Sequence, residues 1–530
     1  MDIPDLNKQV VSMRHEVDQF LQRCVVWLEA NETMVVAAFA LLLLGFNLCS
    51  AKLYPTSWGD EVMFVDPAIN FVQGKGFTST AWWQSKELTW NCNVPLYAFA
   101  LIPWIKSFGQ GLVQIRAFNY TLASLALFVF WLGVKRQNWI RSAPARVGMV
   151  VTAFLSFPLC FVYRTARPDC LGMLICTSAL LAWSWKSHDA KYTCLFLAGF
   201  LSPAAGLQLV PYLGLLCLLV FLLEGKKALV PLAVLMAGIV SGGLALFSFY
   251  YAHHLAGVLE NIRLTRIFHQ TEELAGSQGE PTLIFKLLQR VRTIFHDQLA
   301  DFGILPAFAA LAIMAGGHRT WSDKQLRSLV LLGFLGGFAI GAVFEILIHY
   351  PIEYHWMSYL ILMIVVFAVL SQAWDLLGRF RKTLVLLLLA SSVLVGLPLR
   401  VVLGQALNQR REYGQLERMI QQQIRSTDVV FCDYPGYFPV KAKAAELYSP
   451  RYLSVMTETE RQSVNVLVLN TATSGDVYKK FTCNDSRWKQ VARTSSEPTL
   501  MRKLVTRLLP YYNQQDIACG YCVAIFRRNP

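Results

Sequence analysis

Residues 33–51 read Thr-Met-Val-Val-Ala-Ala-Phe-Ala-Leu-Leu-Leu-Leu-Gly-Phe-Asn-Leu-Cys-Ser-Ala, with no charge among them. As a helix this stretch is about 28 Å long, close to the thickness of a bilayer core. Ten further stretches of the same kind follow, near 112–134, 147–163, 170–186, 191–205, 207–223, 228–250, 302–317, 327–348, 356–374 and 382–402. The whole chain agrees: of 530 residues, 55% are apolar, 13% aromatic and 15% charged, and the mean hydropathy is +0.41. Soluble domains average about 45–50% apolar and about 25% charged residues. The fold class predicted is therefore mainly α, a polytopic transmembrane helix bundle of about eleven spans. Disorder, collagen and coiled coil are excluded by the same composition.

The charges orient the spans. Lys135, Arg136, Arg141 and Arg146 share one inter-span loop; Lys186/Lys191, Lys226/Lys227, Arg319/Lys324/Arg327 and Arg379/Arg381/Lys382 fill the next four loops on that side. Turns on the opposite side hold almost none, apart from Arg164 and Arg167. By the positive-inside rule the N-terminus is cytoplasmic, and 52–111, 251–301 and the tail 403–530 lie outside. Counting the apolar stretch Pro95–Phe108 as a span would reverse every later loop, so it is read as a helix half-buried at the interface. A net charge of +14 in so apolar a chain fits loop charge and a lipid-phosphate partner; no basic, aromatic-interleaved module suggests nucleic acid.

Outward from the bundle, residues 1–32 carry Leu6, Val10, Met13, Val17, Leu21, Cys24 and Leu28 on one helical face. That makes an amphipathic helix for the membrane surface or for a partner helix, and no cleavable signal peptide. After the transmembrane domain, 33–402, the tail 403–530 turns polar. A helix is expected around Asn408–Ile424, then strands at Val429–Phe431, Tyr452–Val455, Asn465–Leu469 and Tyr521–Phe526, together a small α/β domain. Its cysteines, Cys432, Cys483, Cys519 and Cys522, are expected to form structural disulfides in an oxidising exterior; their spacing fits no zinc finger.

Ionisable residues avoid the middle of the spans and gather at the outer boundary. Glu345 falls near the outer end of its span, with His349, Tyr350, Glu353 and His355 just beyond. A transporter places polar residues at the midplane, so a site at the membrane–exterior boundary is favoured. The first outer loop opens Ser57-Trp58-Gly59-Asp60-Glu61 and continues to Gly74-Lys75-Gly76-Phe77, with Asp66 and Asn70 between. Asp60 and Glu61 are first-turn partners of a helix dipole, or carboxylates placed to take a proton from a nucleophile at the lipid surface. In Arg164-Thr165-Ala166-Arg167-Pro168-Asp169, Arg167 pairs with Asp169 to close a turn, or the two supply a phosphate-binding cation and an acid to the same surface.

These residues carry a resemblance. The order Gly59-Asp60-Glu61, Gly74-Lys75-Gly76-Phe77, Pro95-Leu96-Tyr97, Arg116 and Arg167-Pro168-Asp169, with the Tyr354–Tyr359 span entry, resembles the GT-C glycosyltransferases of the dolichyl-phosphate-mannose protein mannosyltransferase type. Bacterial lipid A aminoarabinose transferases belong to that group. The resemblance covers roughly 33–375. It implies transfer of a monosaccharide from a polyprenyl-phosphate donor to an acceptor outside the cytoplasmic membrane, with Asp60, Glu61 and Asp169 catalytic. Arg164, Arg167, Arg263, Arg266, Tyr97, His349, Glu345 and His355 become candidates for binding phosphate or sugar, with Lys75 and His269 behind them; solvated surface charge is the competing reading for several. No cofactor and no metal is implied. The aminoarabinose transferases carry Lys-Pro-Pro-Leu before the half-buried helix, where this chain has Asn93-Val94-Pro95-Leu96, so a lipid, a glycan or a protein all remain as acceptors. The tail's location suggests a part in acceptor recognition. A transporter or flippase for a lipid-linked sugar is the alternative to an enzyme.

Overall fold

The computed structural model describes residues 3–92, 94–206, 209–274, 304–316, 323–335, 356–406, 412–471, 487–494 and 520–529, with single residues 288, 478, 481 and 500. Helix α1 runs unbroken from Ile3 to Cys49. Nothing between Asp5 and Leu44 is Gly or Pro, so the amphipathic segment and the first apolar stretch continue as one helix. Two short helices of the first loop follow, α2 (Gly59–Val72) and α3 (Pro95–Phe108). α3 occupies the segment read as a half-buried helix. It buries Tyr97, Ala98, Leu101 and Ile105 on one face and leaves Phe99 and Phe108 exposed on the other.

The bundle proper comprises α4 (Leu112–Gln137), α5 (Ala143–Leu155), α6 (Phe157–Tyr163), α7 (Asp169–Trp183), α8 (His188–Ala205), α9 (Leu209–Glu224), α10 (Leu229–Leu246) and α11 (Leu255–Leu274). It closes with helices Ile304–Ala315, Lys324–Phe334, Trp356–Ala373, Arg379–Val395 and Leu397–Ala406. Helices lie, wholly or in part, on all eleven stretches expected to span. Among the described residues, five are long and apolar enough to cross a membrane, or six if the bent pair α5–α6 is one span. This is a multi-pass membrane protein. The 58° bend between α5 and α6 falls at Ser156, where Pro158 removes an N–H from the next turn. A buried hydroxyl knot holds the bend: Tyr359 donates to Ser156 Oγ at 2.7 Å, and Ser392 lies 3.0 Å from the Tyr359 hydroxyl.

Small residues bring α8 and α10 into backbone contact. A Cβ on Gly242 would meet the carbonyl oxygen of Phe200 at 2.0 Å, and one on Gly238 that of Phe196 at 2.3 Å, whereas one on Gly243 meets nothing within 4 Å. Gly242→Ala is therefore expected to destabilise the bundle by about 1–3 kcal/mol, while Gly243→Ala is neutral or slightly stabilising. Thermal melts of the two variants in detergent check this; equal effects contradict the packing.

The tail begins with helix Tyr413–Gln423 and folds into one mixed sheet, order β2-β1-β3-β5-β4. Its strands are β1 (Val429–Cys432), β2 (Glu446–Tyr448), β3 (Val466–Asn470), β4 (Trp488–Arg493) and β5 (Val523–Arg528). β1 pairs in parallel with β2 and β3, and β5 runs antiparallel between β3 and β4. One expected strand is corrected: Tyr452–Ser454 lies in a 3-10 turn, Pro450–Ser454, with Val455 as its cap; Pro450 opens the turn with its fixed φ. The expected disulfides are corrected too. Cys432 is a free thiol in the core, donating to the Asp433 carbonyl, and Cys522, just before β5, is a buried free thiol; Cys483 and Cys519 lie outside the described residues.

Candidate active site

The site forms where the end of α1, the start of α2 and the turn before α7 meet. A helix end leaves carbonyl oxygens without partners, and cations there are favourable. Two fully buried arginines supply them. Arg164 spends all five N–H groups: on the Tyr54 carbonyl twice, on the Ser50 carbonyl at 2.8 Å, on Ser50 Oγ at 2.7 Å and on Asn47 Oδ1 at 2.7 Å. Arg116, near the start of α4, gives one amino group to the Ala51 and Pro55 carbonyls and grips Glu61 with its other nitrogens, both at 2.7 Å. Glu61 also accepts the Ala166 amide at 3.0 Å. Arg164, Arg116 and Glu61 are thus closed within the protein, clamping α1, α2 and the turn together.

Arg167 is the centre of a second set. Its Nε donates to Asp169 Oδ2 at 2.9 Å and its Nη1 to Asp60 Oδ2, while the rings of Trp58 and Phe64 flank the guanidinium at 5.5 and 5.7 Å. Asp169 Oδ1 accepts the indole N–H of Trp356 at 3.0 Å. The turn itself is held from α4, where Asn119 donates to the carbonyls of Thr165 at 2.6 Å and Arg167 at 2.8 Å. Tyr97 of α3 in turn donates to Asn119 at 3.0 Å. Tyr97 therefore reaches the site through Asn119.

The tail contributes what the sequence did not disclose. Arg451 projects from the turn Pro450–Ser454, donates to Asp60 Oδ1 at 2.6 Å and lies over the Trp83 ring at 4.6 Å. Burial pushes the Asp60 carboxyl up, but the charges of Arg451 and Arg167 outweigh it and hold the group below the ordinary carboxylate value. Of the carboxylates at Asp60, Glu61, Asp66 and Asp169, only Asp60 reaches the surface, its side chain 16% exposed against 0–1% for the others. Beneath, Trp356 also lines an apolar cavity with Phe130, Leu180, Leu216, Leu360 and Ile364.

A third cluster docks the tail on α2. Lys441 donates to Asp66 at 2.6 Å and to Asn70 at 2.7 Å, and Asp66 also accepts from Tyr437, Ser79 and the Thr80 amide. Lys75 donates to the Ala445 carbonyl at 2.9 Å. Burial raises the Asp66 carboxyl, but Lys441 and the hydroxyls around it bring it below its ordinary 3.8. A depressed folded-state value contributes stability that is complete above the unfolded value and lost as pH falls through the folded one. Asp66→Asn is therefore expected to release the tail to protease more readily than wild type near neutral pH. That difference should shrink as pH is lowered below 3.8. A difference constant with pH contradicts the assignment.

Other candidates stand apart. Arg263 is exposed on α11 and paired with Glu260 at 2.6 Å; Arg266 and His269 are carried by the same helix. Glu345, His349 and His355 lie outside the described residues. Among the described residues no group of three or more His, Cys, Asp or Glu is placed to hold a metal ion.

Neither a protein-family model nor a curated protein matches the chain. Among solved structures it is similar to apo ArnT from Cupriavidus metallidurans, with 12% identity, coverage of 94% of this chain and 98% of that one, and a TM-score of 0.43. It is also similar to the same protein bound to undecaprenyl phosphate, at 11% identity over 93% and 97% of the two chains, TM-score 0.40. A third likeness is to the S. cerevisiae protein O-mannosyltransferase Pmt1-Pmt2 complex bound to its sugar donor, at 15% identity over 43% of this chain and 34% of that one, TM-score 0.30.

Proposed function

We propose that the chain is a glycosyltransferase that moves a monosaccharide from a polyprenyl-phosphate donor to a lipid, glycan or protein acceptor at the outer face of the cytoplasmic membrane. The observation that carries this reading is Asp60: an ionised carboxylate, alone of its cluster in reaching the surface, bracketed by two arginines. Through Asp169 and Trp356 the site adjoins a small apolar cleft between helices.

The chemistry uses these features in turn. An acceptor hydroxyl gives its proton to Asp60 as its oxygen forms a bond to the anomeric carbon. The bond from that carbon to the phosphate oxygen breaks, and its electron pair leaves with the polyprenyl phosphate. Phosphate is a good leaving group, so a base matters more than a dedicated acid. Cations beside it stabilise the charge that builds on the leaving oxygen. Asp169 acts through Arg167 and Trp356, whose positions it fixes. Glu61 holds the start of α2 so that Asp60 faces outward.

Incubating the purified chain with polyprenyl-phosphate sugars carrying a radiolabelled sugar, and membrane extract as acceptor pool, tests the reading. Label leaving the donor lipid for an acceptor is expected. Label retained on the donor throughout overturns it.

A further inference from the structure

Arginines gathered at one place differ in how much of their hydrogen-bonding capacity is spent, and here the differences are large. Arg164 has committed every N–H, Arg116 has committed four, and Arg167 is wholly buried between two carboxylates. Arg451, like Arg167, has two of its donors placed on acceptors, but it alone of the four is not fully buried. One amino group serves Asp60 Oδ1 at 2.6 Å, while the other faces the thioether sulfur of Met63, a weak acceptor. Its side chain is 17% exposed, so a ligand reaching Asp60 also reaches Arg451.

The backbone that carries Arg451 is fixed on both sides. The Ser449 amide donates to the Thr80 carbonyl at 3.0 Å. Tyr452 accepts the Lys86 amide at 3.3 Å and stacks on Tyr448, and Lys86 pairs with Glu446. The side chain can therefore change partners while the tail stays docked. A guanidinium presents two parallel N–H groups that match two phosphate oxygens, and only one of the Arg451 amino groups now meets a charged acceptor.

We infer that Arg451 is a transferable cation: when the phosphate of the donor lipid arrives, Arg451 releases Asp60 and takes the phosphate. This rests on the proposed function and assigns the tail a part in donor binding. The exchange breaks no covalent bond and moves no proton, since Arg451 stays protonated and Asp60 stays ionised beside Arg167. Its consequence is that the Asp60 oxygen is free to accept a proton only once a leaving group is clamped. Water arriving alone leaves the carboxylate tied up, so the device couples the base to donor occupancy.

The test is binding of undecaprenyl phosphate, without sugar, to the full chain in detergent by calorimetry. Asp60→Asn removes the competing carboxylate and is expected to bind at least about tenfold tighter than wild type; Arg451→Gln should bind at least about tenfold weaker. Arg451→Lys, which keeps the charge but not the fork, should fall between wild type and Arg451→Gln. The double variant should behave as Arg451→Gln does. Asp60→Asn binding no tighter than wild type, or Arg451→Gln binding as well as wild type, overturns the exchange. So does the absence of binding by wild type. Because no sugar moves in this assay, the exchange pattern with no sugar transfer in the labelled assay overturns only the enzyme reading.

Discussion

Replacing Asp60 by Asn is expected to cut sugar transfer by about 10²–10⁴-fold, the usual contribution of a positioned general base, while the protein keeps its fold. Retention of fold follows from the contacts. Asn keeps an oxygen that can accept from Arg167 or Arg451, and the helix start at α2 is held independently by Glu61 and Arg116. The site is also partly open, so a neutral amide there strands less charge than it would in the core. The measurement is initial rate beside a thermal melt in the same detergent. A normal rate would remove Asp60 from the chemistry.

At the next residue the expected outcome is reversed. Glu61→Gln should affect folding first, because it leaves the Arg116 guanidinium fully buried against a neutral partner. Breaking one member of a buried ion pair costs about 3–5 kcal/mol, enough to deplete the folded protein of a marginally stable domain. Adding Arg116→Met to Glu61→Gln should recover much of that loss, since a buried pair removed together leaves no stranded charge. The readout is melting midpoint and yield of monodisperse protein. Should Glu61→Gln melt like wild type, the pair is not the clamp described above.

The sequence disclosed the helices well because their signal is long. Apolar runs of about 20 residues survive local irregularities such as the Ser156 bend, and the half-buried α3 stood out as too short to span. Arg167 and Asp169 were legible because charge is conspicuous in a short turn otherwise bare of it, and Asp60 because it sits with Glu61 at the head of a loop helix; the structure brings Asp60, Arg167 and Asp169 together. What sequence could not show is how each charge is spent. Arg164 and Arg167 sit three residues apart in one turn, yet one is absorbed by carbonyls and the other by carboxylates. Only packing distinguishes them.

Arg451 was hidden for a different reason. It lies 391 residues from Asp60, in a segment whose Tyr-Leu-Ser-Val composition favours a strand. Pro450 and the stacking of Tyr452 on Tyr448 instead make a turn that aims Arg451 at α2. The signal that could have flagged it is an arginine directly after a proline in an otherwise apolar run. Docking of the tail through Asp66 and Lys441 was equally out of reach, since both read as ordinary surface charges until the tail is seen packed on α2.

The central claim is that Asp60 is the base of a lipid-linked sugar transfer. The most direct measurement runs wild type and Asp60→Asn side by side with a panel of polyprenyl-phosphate sugars carrying a radiolabelled sugar, with membrane extract as the acceptor pool. The account predicts label entering an acceptor with wild type from at least one donor, and little or none with Asp60→Asn. Label that stays on its lipid with folded wild-type protein, or lipid that crosses the bilayer equally well with either protein, would contradict it and point to a transporter instead.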